Sequence, residues 1–79
     1  MDYGRALDDI NKALSLDPTY VKAWMHKGNI ELALKQYHRS LRSFSRGLEI
    51  DSNDVGCMEG LKKTHMRVQE VGRMVNGEW

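Results

Sequence analysis

The stretch YGRALDDINKALSLDPTYV (residues 3–21) returns 34 residues later as YHRSLRSFSRGLEIDSNDV (residues 37–55). Tyr3 falls on Tyr37, Arg5 on Arg39, Leu7 on Leu41, Leu14 on Leu48, Asp17 on Asp51 and Val21 on Val55. Softer matches lie between them: Ala6 with Ser40, Ile10 with Phe44, Ala13 with Gly47 and Leu16 with Ile50. A period of this length, with helical patterning on both sides, marks a helix–turn–helix repeat array, because one such unit cannot bury its apolar face alone. Stacked units present extended surfaces, so the repeat points to recognition rather than catalysis.

Four helices account for the pattern. The first covers residues 2–16, with Ala6, Leu7, Ile10, Ala13 and Leu14 at three- and four-residue steps. It ends at Asp17-Pro18, since proline lacks the next amide and drives its predecessor out of the helical region. Pro18 or Thr19 opens a second helix over 19–34, carrying Val21, Trp24, Gly28 and Leu32. A break at Lys35-Gln36 leads to a third helix over 37–50, with Leu41, Phe44 and Leu48. After the turn Asp51-Ser52-Asn53-Asp54, either Asn53 or Asp54 can cap the helix that follows. That last helix shows an apolar edge of Val55, Met58, Leu61, His65, Val68 and Val75, and Asn76-Gly77 forms its stop.

Size and composition narrow the function classes. At 79 residues the chain holds one modest core. A net charge of +1 gives no general pull on a polyanion, so no nucleic-acid partner is expected. No apolar run reaches the ~20 residues of a membrane span, and no signal peptide opens the chain. With Cys57 its one cysteine, the chain forms no internal disulfide, which suits a cytoplasmic setting.

These residues resemble the tetratricopeptide repeat (TPR) family. With Pro18 at the turn, the next unit begins at Val21, and Trp24, Gly28, Tyr37, Ser40, Phe44 and Gly47 fall on its signature positions. The resemblance implies an all-α fold, a TPR helix–turn–helix array forming an αα superhelix. It also implies that aromatic residues wedge between helices while small ones allow close approach. Ser40 and Gly47 stand where alanine is usual and Ser52 where the turn proline is usual; Gly47 is expected to weaken its unit by about 1 kcal/mol. The phase implies the C-terminal part of a TPR domain: residues 2–16 as helix B of a partial repeat, 19–50 as a complete repeat, and 54–76 as a capping helix. Leu7, Ile10 and Leu14 would then lack part of their cover, so self-association or a helix swap is expected.

The same resemblance suggests a ligand. Val21 to Gly28 is similar to a helix of TPR co-chaperones that hold the C-terminal tails of heat-shock chaperones of the seventy- or ninety-kilodalton class. Leu14 to Ala23, Gly47 to Asn53 and Glu59 to Lys63 look like runs in the heat-shock-organising members of that group. Lys22 falls on a carboxylate-clamping lysine, and His26 stands where those proteins carry an arginine. A histidine has an ordinary pKa of about 6.5 and lacks the guanidinium fork. Lys22, Met25, His26 and Asn29 share one stripe, opposite Trp24 and Gly28, and form the expected peptide-binding set.

Blander roles compete with that one. Lys22 and His26 also suit a solvated helix face, while Trp24, Tyr37, Phe44 and Tyr3 read as core wedges. Met66, Met74 and Trp79 form a weak apolar patch or belong to a tail. His26, His38 and His65 have no ligand spacing, so no metal or cofactor is expected. Cys57 beside Val55 and Met58 reads as a buried filler rather than a nucleophile. With no phosphate loop, carboxylate pair or Ser/His/Asp set, an enzyme is not expected. The alternative to a chaperone-tail binder is an assembly segment that binds an internal partner peptide, or that self-associates through its exposed helix face.

Overall fold

A computed structural model describes the backbone of residues 2–77 and the side chains of residues 2–72. Four helices follow one another: α1 (Tyr3–Leu16), α2 (Val21–Ala33), α3 (Tyr37–Ile50) and α4 (Val55–Gly77). The central packing is of α2 on α3, with α4 laid across both and α1 resting on α2 alone. The side chains of Met74, Val75 and Trp79 lie outside the described residues.

The turns after α1 and α3 are each held by an aspartate. Asp17 takes an extended conformation, its amide donates to the Ala13 carbonyl at 2.9 Å, and its Oδ1 accepts from the amide and hydroxyl of Thr19. Those two bonds to Thr19 lower the Asp17 pKa below its ordinary value, because they favour the charged carboxylate. Thr19 is therefore tied into the turn, and α2 starts at Val21 instead of Thr19. Asp51 repeats the device: its amide donates to the Gly47 carbonyl at 2.9 Å and its Oδ1 accepts from the Asn53 amide at 3.1 Å. Ser52 in place of a proline costs the second turn none of these bonds. Asp54, not Asn53, caps α4, accepting from the Cys57 amide at 2.9 Å.

The core is built around Phe44, which is fully buried between α2 and α4. A Cβ placed on Gly28 would stand 2.8 Å from Cε1 and Cζ of Phe44, and one on Gly60 would overlap the same ring. Both glycines thus let a helix backbone lie directly against the aromatic ring. Beside the ring, Ser40 Oγ donates to the Gly28 carbonyl at 2.8 Å and Thr64 Oγ1 to the Gly60 carbonyl at 2.8 Å. The two hydroxyl oxygens lie 3.1 Å apart, so when Thr64 turns its one proton from Gly60 to Ser40, the run Thr64–Ser40–Gly28 joins α2, α3 and α4 in a buried polar ladder. Ser40, placed where alanine is usual, belongs to this ladder.

Two readings of the sequence change here. Val55 and Met58 are 63% and 51% exposed, and His65 is exposed as well, so they are not the packed edge of α4. The helix instead buries Cys57, Gly60 and Thr64, because the volume at that seam is supplied by Phe44 from α3. Gly47 is also more than a weak spot. A Cβ there would lie 2.5 Å from Cys57 Sγ, so the missing side chain is the space that the thiol occupies.

Candidate functional site

The stripe on α2 is open to solvent. Lys22, His26 and Asn29 are all exposed along one helix face, as steps of four and three residues require. Met25 stands apart from them. It is half-buried and turned towards α4, where its Sδ packs against Gly56 with no room for a Cβ between them. The face therefore offers one ammonium, one imidazole and one amide in a row, with a thioether at its edge. Such a row can pair with carboxylates and bond an extended backbone, but its charges remain in water, where an ion pair contributes about 0.2–1 kcal/mol.

The opposite side of α2 carries a larger concavity that the sequence reading did not single out. A groove of ≈ 780 Å³ runs between α1, α2 and α3, with Leu7 and Asn11 on the α1 wall. Trp24 and Lys27 line it from α2 and Arg39, Arg42 and Arg46 from α3. Trp24 is half-buried here, its indole N–H donating to the Pro18 carbonyl at 2.9 Å. The Lys27 ammonium stands 5.3 Å from the ring centroid, within the range of a cation–π contact. Glu31 lies against the core, 4% exposed, and accepts a bond from the Ser43 hydroxyl. The arginine spacing of three and four residues was legible in the sequence as one face of α3. What could not be read was that α1 stands away from α3 and leaves that face open.

The remaining candidates resolve simply. Phe44 is a core wedge, whereas Tyr37 is half-buried and shares a shallow pocket with Val68 and Val71. Cys57 is fully buried, and desolvation, aided by Asp54, pushes its thiol pKa up to about 12. A thiol held in that form is no nucleophile at neutral pH. Among the described residues no group of three His, Cys, Asp or Glu side chains is placed to hold a metal ion. None of the described helices is long and apolar enough to cross a membrane.

Comparison with known proteins bears on the same segment. Residues 21–54 match the tetratricopeptide repeat family. Hsp70-Hsp90 organizing protein 2 of Arabidopsis thaliana is similar at 30% identity over 67 residues, which is 85% of this chain and 12% of that protein. The Hsp70-Hsp90 organizing protein of Triticum aestivum is 27% identical over the same shares of the two chains. Serine/threonine-protein phosphatase 5 of Rattus norvegicus is 29% identical over 73 residues, covering 92% of this chain and 13% of that protein. The chain thus spans about an eighth of the length of these relatives.

Proposed function

We propose, from the premise that residues 21–54 are a tetratricopeptide repeat, that this chain is a protein-interaction module of a co-chaperone. Its α2 face receives the acidic C-terminal peptide of a heat-shock chaperone, in a cytoplasmic setting. The observation that carries this reading is the exposed row Lys22, His26 and Asn29, in a chain similar to two plant proteins named for Hsp70 and Hsp90. The peptide lies extended along the row. Lys22 pairs with its terminal carboxylate, Asn29 bonds its backbone, and the exposed part of Met25 offers apolar contact. His26 offers a ring N–H to a peptide acceptor. Because each contact is solvated, the affinity of the face alone is low and sensitive to salt. No step of covalent chemistry is involved.

Titration calorimetry tests this with one acidic peptide in two forms, ending in a free carboxylate or in an amide. The free acid is expected to bind more tightly, and Lys22→Ala to remove that difference. Equal affinities for the two peptide forms would overturn the terminal-carboxylate reading.

A second reading rests on a separate observation. Leu48, Met58, Leu61 and Met66 line an open apolar surface along the α3–α4 edge, with Met58 51% and Met66 54% exposed. A partner helix or a second copy laid there would make the chain an assembly segment, indifferent to amidation of the peptide.

A further inference from the structure

We infer that the groove between α1, α2 and α3 is a second docking surface, taking an internal acidic peptide segment on the side of α2 away from Lys22. The argument starts from charge. The groove is lined by four cations, Lys27, Arg39, Arg42 and Arg46, and by two carboxylates, Glu31 and Glu49. Both carboxylates are already engaged. Glu49 holds Arg46 at 2.7 Å, and Glu31 is buried with the Ser43 hydroxyl on it. Among the described residues Arg39, Arg42 and Lys27 form no ion pair, and the Lys27 ammonium stands over the Trp24 ring. Three cations are left without a carboxylate, clustered in a chain whose net charge is only +1.

Geometry selects the occupant. Arg39 and Arg42 are one helical turn apart, about 5–6 Å between their Cβ atoms. Alternate side chains of an extended peptide are spaced by roughly 7 Å, so two acidic residues can meet two guanidinium forks, each able to bind bidentately. The α1 wall contributes the uncharged Leu7 and Asn11, and Trp24 gives an aromatic floor. A nucleic acid fits less well, because the Lys27 ammonium already stands over the Trp24 ring on which a base would stack.

The test uses the whole chain and a hexaglutamate peptide acetylated and amidated at its ends, so that it carries no terminal carboxylate. Binding is followed by the chemical shifts of the backbone and of the Trp24 indole N–H. The expected result is movement of the Trp24 indole and of Arg39–Arg46 amides, with affinity falling at high salt. Arg39→Glu with Arg42→Glu should weaken binding by about ten-fold or more, Arg39→Gln with Arg42→Gln should weaken it less, and Lys22→Ala should leave it within about two-fold. Both substituted positions are exposed, and unchanged helical circular dichroism certifies their fold. The inference is overturned if no shifts appear at millimolar peptide, or if they fall on Lys22, His26 and Asn29. Unchanged affinity in the double variant, or tighter binding of an oligouridylate of equal charge, would overturn it as well. The terminal-carboxylate proposal survives an absence of shifts or an unchanged double variant, since it concerns the other face and another peptide end, whereas shifts on Lys22, His26 and Asn29 would count against both.

Discussion

Phe44 packs its ring directly against two helix backbones, and glycine at positions 28 and 60 is what permits it. The same logic, one turn further along α3, couples Gly47 to Cys57. Gly47→Ala gains helix propensity of about 1 kcal/mol, yet it drives a methyl group into Sγ, and overpacking of this kind costs about 1–3 kcal/mol. The net effect expected is destabilisation. Cys57→Ala removes the obstructing sulfur, so the double variant should be more stable than the sum of the two single changes predicts, by about 1 kcal/mol. Urea denaturation of the four proteins measures the coupling; strict additivity would refute the contact. The burial of Cys57 was expected from the sequence, but its neighbours Val55 and Met58, which suggested it, are themselves exposed. The purpose of Gly47 was not legible there, because the atom that fills its space comes from a helix ten residues further on.

At the level of the helices, the 34-residue repeat announced α1 and α3 nearly to the residue, since apolar spacing and the turn aspartates both recur. The packed face of α4 was misread for a physical reason. Hydropathy marks large apolar residues, whereas this helix buries small ones against an aromatic ring supplied by its neighbour. The stripe on α2 was legible as a set of exposed residues, but periodicity alone does not show that Met25 leans towards α4. The junction of α2 and α3 carries one local strain. Lys35 has φ 62°, and its left-handed conformation lets the Lys35 amide reach the Leu32 carbonyl and the Gln36 amide reach the Glu31 carbonyl, at 3.0 and 2.8 Å. An L-residue pays about 1–2 kcal/mol for that conformation, whereas glycine adopts it freely and gives up about 0.5–1 kcal/mol of unfolded-state entropy. Lys35→Gly should therefore stabilise the protein by about 0.5–1 kcal/mol and raise Tm by a few degrees in a thermal scan. A lower Tm would show that the lysine side chain contributes more than its backbone conformation costs.

Across the whole molecule, stability is unevenly shared. The packing and the buried hydroxyl ladder join α2, α3 and α4, whereas among the described residues α1 meets only α2 and has one buried side chain, Leu14. Opening of α1 should cost less than global unfolding. In native-state hydrogen exchange, amides of Leu7–Leu14 are expected to be protected by about ten-fold less than those of Leu41–Leu48. Equal protection would mean that the four helices open as one unit.

The molecule measures 47 × 29 × 16 Å, so its thin dimension is little more than one helix diameter. With Lys22, His26 and Asn29 on one side of α2 and Trp24, Lys27 and Glu31 on the other, a single rod serves as the party wall of two rooms. A guest in either room tugs on the same partition. If the first arrival tilts that rod, it alters the welcome given to the second, and thermodynamics obliges the second to repay the influence in equal measure.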